Sequence, residues 1–171
     1  FSSFLNASIN GVAYPSQYLI AQTWNGDMAN AMGTMVGNES IFKEVSGWYA
    51  PAMNLHRSPF AGRNFEYYSE DPVLSGVMAG AASNGAAQFG LYTTHKHFAL
   101  NDQEDSRVDN GIATFANEQT IREIYLKPFE MAVKSVEMPV PYISDDQGTW
   151  SEAAVGSSAV MSSFNRIGAV W

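Results

Sequence analysis

The sequence predicts an α/β fold built on a parallel sheet, and three observations lead there. Helix-like and strand-like segments alternate along the chain. The strand-like segments are short and almost continuously apolar, as strands covered on both faces are. Each is followed at once by a polar loop: "NLHRSPFAGRNFE", "KHFALNDQE" and "FNRIG". Closed (β/α) barrels and doubly wound sheets both gather their sites at the carboxyl ends of the strands. The three loops are therefore nominated as one site under either architecture.

The elements follow in order. After turn-rich residues, a helix is predicted beyond Trp24, with Asn25 as its cap and Met28, Met32, Met35 and Val36 as a core-facing stripe. "GWYAPAMNL", Gly47 to Leu55, reads as a buried strand. In "SEDP", Ser69 is read as the cap of a second helix, with acids in its first turn and Pro72 early. That helix is rich in Ala and Gly, which suits close packing on a sheet. "GLYTTHKHF" is the next strand. A third helix starts near Asn117 with Ile121, Ile124, Tyr125, Phe129 and Val133 on one face, and Pro128 should kink it. Met138 to Ser158 reads as a long acidic loop, and "AVMSSF", Ala159 to Phe164, as a last strand.

Composition narrows the function. With 46% hydrophobic and 15% charged residues, the 171-residue chain is globular and long enough for a single domain with a core. A formal charge of −8 without any basic run argues against nucleic-acid partners. No apolar run approaches the ~20 residues that span a bilayer, so no membrane partner is expected. The absence of cysteine excludes disulfides and thiolate chemistry but leaves the compartment open. The chain begins "FSSFLN" without Met or a signal-peptide pattern, so targeting cannot be read and the true N-terminus is expected to lie upstream.

The nominated loops hold Arg57, Arg63, Glu66, Lys96, His97, Asn101, Asp102, Glu104, Arg107 and Arg166. Neither GxGxxG nor GxxxxGK[ST] is present, nor HExxH, nor a GxSxG nucleophile elbow. His95 and His97 could share a metal only with a third ligand, which the sequence does not offer; no metal or cofactor is expected. What remains is a set of fixed donors among carboxylates and aromatics, suited to a polyhydroxylated ligand.

Four motifs, "GRNFEYYSEDPVLSG", "KHFALNDQE", "REIYLKPFE" and "VMSSFNRI", come in this order. Together they resemble the N-terminal (β/α)-barrel domain of glycoside hydrolase family 3, in its β-glucosidase-like members. "YPSQYLIAQTWN" is similar to that family's earlier helix-entry segment, so the resemblance spans nearly the whole chain. It implies a portion of a TIM-type (β/α)-barrel, about three to four βα units, with residues 138–158 as an insertion loop in one partial domain.

Matched residue by residue, the resemblance implies that Arg63, Lys96 and His97 bind the hydroxyls of the −1 sugar. It implies Arg107 as a further donor and Met161 as pocket lining. Phe164 stands where many members have a tyrosine that contacts the nucleophile, which leaves that hydrogen bond in doubt. Glu66 is read as support for Arg63 or Lys96. The family's nucleophile Asp and its acid/base are expected outside these residues, so no catalytic residue is assigned within the chain. The implied parent is a retaining, exo-acting β-glycosidase acting on β-glucosides, or next on β-xylosides, of which this chain is an inactive fragment partnered by the remaining segments. A run such as "KHFPGHG" would mark the branch cleaving N-acetylglucosamine linkages; "KHFALNDQE" disfavours it. The alternatives are a non-catalytic carbohydrate-binding or assembly module, and a barrel that holds a phosphorylated ligand through Lys96 and Arg63.

Geometry adds one demand. Successive strand residues face opposite ways, so Lys96 and His97 can both reach one pocket only if the strand bends or bulges between Lys96 and Phe98. Their positive charges would then hold a nearby carboxylate ionised. His95, Arg57 and Arg166 are read as structural, Asp102, Glu104 and Asp105 as loop and supporting residues, and Asp145 and Asp146 as solvated.

Overall fold

A computed structural model of the chain describes residues 11–107, 111–155 and 159–170. The first helix, α1, is short, Gln17–Ala21, and Ser16 Oγ accepts the Leu19 N–H at its start. Helix α2, Gly26–Phe42, begins where Asn25 Oδ1 accepts the N–H groups of Asp27 at 2.9 Å and Met28 at 3.3 Å. Both caps satisfy amides that have no partner within the helix. Met32 and Val36 are buried, but Met28 and Met35 are exposed. The buried face is displaced towards the small residues Ala29, Gly33, Gly37 and Ser40.

The reason lies in the next helix, α3, Pro72–Ala87. The two helices meet backbone to backbone. A Cβ on Gly33 would fall 2.0 Å from the Ala82 carbonyl oxygen, and one on Gly85 2.1 Å from that of Asn30. Glycine alone leaves room for this approach. The Ala and Gly content of α3 thus serves helix packing at least as much as sheet packing. Asp71, not Ser69, caps α3: its Oδ1 accepts Val73 N–H at 2.7 Å and Leu74 N–H at 2.8 Å. Proline at the first helical position makes the residue just before it the cap, and Ser69 Oγ instead accepts the Asp71 N–H.

Between α2 and α3, strand β1 is only Gly47–Trp48. The longer strand expected to Leu55 is interrupted at Pro51, which has no N–H to give to a ladder. The segment still follows β2, Tyr92–Phe98. Thr94 N–H bonds to Ala50 O, Lys96 N–H to Pro51 O, and Met53 N–H to Lys96 O. Beyond β2, β3 is Ala113–Thr114.

The third helical segment is broken more thoroughly than a kink. It comprises α4, Glu118–Thr120, a π-helical turn at Ile121–Tyr125, and α5, Lys127–Ser135. Leu126 N–H bonds back to Ile121 O, and the wider turn accommodates the missing donor and bulky ring of Pro128. Tyr125 and Phe129 are buried, Ile121 and Ile124 pack partly against the core, and Val133 stands at the solvent edge.

Residues 138–155 do not form an open loop. They make an antiparallel hairpin, β4 at Met138–Ile143 and β5 at Trp150–Val155, with Ile143 opposite Trp150. Residues 156–158 of the expected insertion lie outside the described residues. Strand β6, Ala159–Ser162, then adds to β2, and β7, Arg166–Ile167, pairs with β3.

The main sheet is parallel in the order β1-β2-β6. Trp48, Met53, Leu55, Tyr68, Met78, Leu100 and Phe129 belong to one core cluster between sheet and helices. Burying each large side chain is worth about 1.5–3 kcal/mol relative to leaving it exposed. No helix among the described residues is long and apolar enough to cross a membrane.

Candidate functional site

The site is built on the carboxyl end of β2. Thr93 to His97 are all buried, so this central strand carries polar side chains into the interior. Opposite β6, Lys96 pairs with Met161, but the next pair is Phe98 with Ser162. His97 is thus the extra residue of a bulge, at the position where the sequence asked for one. The peptide bonds Lys96–His97 and Phe98–Ala99 are cis.

The bulged backbone is satisfied by Asn54, at the end of the segment that follows β1. Its Oδ1 accepts the His97 N–H at 2.8 Å and its Nδ2 donates to His97 O at 2.9 Å. Around the ring, His97 Nδ1 lies 3.2 Å from the Tyr67 hydroxyl and 3.3 Å from Asn54 Oδ1. Asn101 Nδ2 donates to that hydroxyl at 2.9 Å and to Glu104 Oε1 at 3.1 Å. The buried amide and phenol fix the imidazole from one side.

Charged groups form a continuous chain beside it. Lys96 Nζ lies 3.9 Å from Glu66 Oε1, the same oxygen that Arg63 Nη2 grips. Arg63 Nη1 lies 3.7 Å from Glu104 Oε1, and Arg107 Nε donates to Glu104 Oε2 at 2.8 Å. Two loops contribute: Arg63 precedes the 3₁₀ turn Asn64–Glu66 and Glu66 ends it, and Glu104 and Arg107 follow β2. The Lys96 side chain is 3% exposed, so its ammonium is held against carboxylate oxygen and not bulk water.

Burial depresses the Lys96 pKa, offset by Glu66 and reinforced by Arg63. His97 is pushed down to about 3, first by burial and then by Arg63, Lys96 and Arg107. The imidazole is therefore neutral at ordinary pH. This corrects the expectation that His97 adds positive charge: the field comes from Lys96, Arg63 and Arg107, and His97 supplies one donor and one acceptor. Burial raises the Tyr67 phenol, keeping it a neutral hydrogen-bonding group.

The remaining nominated residues are spread around this cluster. Met161 is half-buried beside Lys96 on β6. Phe164 is exposed, with the Arg107 guanidinium 5.0 Å above its ring. Asp102 is held by Tyr125 and Arg57, and burial raises its pKa against both. Arg57 also covers the Tyr125 ring at 5.3 Å. His95 faces the other way: it is fully buried, bonds Ser83 Oγ through Nε2 at 3.0 Å, and burial lowers its pKa to about 4. The two histidines thus have separate partners and do not converge as a metal pair. Arg166 donates its backbone N–H to Ile112 O.

Sequence reasoning missed Asn54 and Tyr67. Asn54 was visible as the one amide in the apolar run "APAMNL". Tyr67 has no such mark, because it sits next to Tyr68 and both read as core.

Residues 6–161 match the model of the glycosyl hydrolase family 3 N terminal domain. Beta-glucosidase A of Butyrivibrio fibrisolvens is 48% identical over 122 residues, 71% of this chain and 14% of that protein. A beta-glucosidase of Rhizobium radiobacter is 35% identical over 163 residues, 95% of this chain and 17% of that protein. Among solved structures, beta-glucosidase 3B from Thermotoga neapolitana in complex with glucose matches at a TM-score of 0.77 and 38% identity, covering 93% of this chain and 19% of that one. The GH3 beta-glucosidase of Bifidobacterium adolescentis matches at a TM-score of 0.81 and 30% identity, covering 96% and 21%. The chain spans under a fifth of the length of the two curated relatives, 14% and 17%, and its α/β architecture is a portion of their (β/α)-barrel. The chain belongs to the glycosyl hydrolase family 3 N terminal domain family.

Proposed function

We propose that this chain supplies the sugar-holding part of a retaining, exo-acting β-glycosidase, with β-glucosides as substrates and β-xylosides next. The observation that carries the reading is the strand-end cluster. Lys96, Arg63 and Arg107 alternate with Glu66 and Glu104 around a neutral, buried His97. The relatives are beta-glucosidases, and a similar structure was solved with glucose.

The chemistry follows from the arrangement. Lys96 and Arg63 present donors in fixed directions, and His97 offers a donor and an acceptor without a charge to desolvate. Such groups grip neighbouring hydroxyls of one pyranose. Glu66 and Glu104 hold the cations in place and neutralise most of their charge, which suits a neutral sugar better than a phosphate. The residual positive field favours an ionised carboxylate nearby, as a glycosidic nucleophile requires. The nucleophile and acid/base, about 5–5.5 Å apart in retaining enzymes, come from segments of the full-length enzyme outside these residues. Met161 and Phe164 line the pocket, and Arg107 reaches it over the Phe164 ring.

The test is hydrolysis of aryl β-glucosides and β-xylosides by the full-length enzyme, with product anomers followed by NMR. Release of the β-anomer first supports the reading. Binding of glucose without any turnover would turn it into a carbohydrate-binding module, and tight inhibition by inorganic phosphate would favour a phosphorylated ligand.

A further inference from the structure

A cavity of about 250 Å³ opens between α1, the start of α2 and the start of α3. Its walls include Tyr18, Gln22, Trp24, His56 and Glu70. We propose that it is an accessory site for one pyranose unit of a β-linked gluco-oligosaccharide, distinct from the strand-end cluster. The proposal rests on the glycosidase reading only for the identity of the sugar.

Three features point to a sugar. Trp24 is 72% exposed, yet it stands at a tight corner fixed on both sides. Its N–H bonds to Ala21 O, Thr23 Oγ1 donates to Ile20 O, and the same hydroxyl accepts the Asn25 N–H. With the backbone fixed at this corner, the exposed indole is presented at the cavity wall as a flat apolar face for the C–H side of a pyranose. The Tyr18 ring adds a second surface, packed on His56 at 5.4 Å between centroids.

The polar groups are the second feature. His56 Nε2 donates to the carbonyls of Asn64 at 2.9 Å and Tyr67 at 3.1 Å, which fixes the ring and leaves Nδ1 as its other polar atom. Among the described residues, the Tyr18 hydroxyl, the Gln22 amide and the Glu70 carboxylate have no hydrogen-bond partner. Donors and acceptors on planar groups, with aromatic faces beside them, match hydroxyls set around a ring. Among the described residues that line it, there is no Lys or Arg to meet an anionic ligand. A quaternary ammonium would use the aromatics and Glu70 but none of the directional groups.

Size and place are the third. The volume lies below the ~300 Å³ lower end of drug-sized ligand pockets, enough for one ring and too little for a chain. His56, in the cavity wall, also pins Asn64 and Tyr67 of the loop that carries Arg63 and Glu66. An occupant that touched His56 would be coupled through it to that loop of the strand-end cluster.

The test is calorimetric titration of cellotetraose into the full-length enzyme carrying Lys96→Ala, so that the strand-end cluster contributes little. Binding should persist, and should weaken at least fivefold on adding Trp24→Ala or Gln22→Ala. Both side chains are exposed, so the melting temperature should stay unchanged. The absence of binding heat, equal affinity in both double variants, or displacement of the sugar by choline would each overturn the proposal. Aryl β-glucoside turnover by the wild-type enzyme is read in parallel. Its absence would sink the glycosidase reading, while the dependence on Trp24 still decides the cavity.

Discussion

The strand-end cluster and the tip of the β4–β5 hairpin both gather acidic residues in turns, but they spend their hydrogen bonds differently. Glu66 pairs locally with Arg63, and Glu104 with Arg107 and Asn101, but Glu66 also meets Lys96 on β2 and Glu104 meets Arg63 from the other loop. At the hairpin tip, Asp145 Oδ1 accepts, among the described residues, from Gln147 and Thr149 of its own turn. Hydrogen bonds from Thr149 hold the Asp145 carboxyl below its usual range, which is a local turn effect. The difference comes from position. A carboxylate at the carboxyl end of a parallel sheet meets the loops of neighbouring strands, whereas one at a hairpin tip meets water. What sets the first region apart is that two of its ion pairs, Lys96–Glu66 and Arg63–Glu104, join residues far apart in sequence.

The sharpest way to break the comparison is Lys96→Ala in the full-length enzyme. Removing a buried donor should cut kcat/KM at least tenfold, about 1.4 kcal/mol or more. Unchanged kinetics on an aryl β-glucoside would remove Lys96 from the site. Glu104→Gln comes next. It keeps the shape but removes the charge shared by Arg63 and Arg107, so a fall of roughly fivefold in kcat/KM is expected, mostly through KM. A uniform loss of folded enzyme, seen as a lower melting temperature without a KM change, would make Glu104 a purely structural residue.

Much of the first region was legible because its signals are local. Asn25 stands in the sequence as a cap and the stretch that becomes β2 as a strand, and the bulge at His97 follows from asking two adjacent residues to face one pocket. The depressed pKa of His97 was not legible, because it depends on burial and on Arg63 and Arg107 arriving from other loops. Asn54 and Tyr67 were hidden for the same reason. Their value is a bond to a residue 43 or 30 positions away. The small-residue face of α2 was missed because large side chains dominate a hydrophobic pattern, while the α3 backbone selects glycine. The hairpin was read as a loop because Pro139, Pro141 and a run of acids hide its alternation.

Tyr67→Phe tests the buried network. It deletes the hydroxyl that meets His97 Nδ1 and accepts from Asn101, and should cost about 1–3 kcal/mol, since Asn101 loses a partner in a buried setting. Acid stability tests the same ring. The folded pKa of His97, about 3, lies below its ordinary 6.5, so the unfolded chain takes up the proton first. The stabilising contribution is complete above pH 6.5, declines as pH falls, and levels off only below the folded value. His95, near 4, acts in the same direction. Each can contribute a slope of up to about 1.4 kcal/mol per pH unit. Melting temperatures between pH 7 and pH 4 should fall less steeply in His97→Gln than in the wild type. Parallel curves would show that His97 is not buried as a neutral ring.

The smallest effect is expected at the hairpin, and it is the control that gives the comparison meaning. Asp145 and Asp146 are exposed, and Trp150 is 69% exposed opposite Ile143. Asp146→Asn removes a solvated charge and should change stability by no more than about 0.5 kcal/mol and kcat/KM by less than twofold. Asp145→Asn keeps an oxygen for the turn and should behave alike, because an amide carbonyl accepts the same two N–H bonds. If either variant lowered kcat/KM as Lys96→Ala does, the hairpin would have to touch the active site in the full-length enzyme. Long-range order in hydrogen bonding would then no longer separate functional acids from solvated ones in this fold.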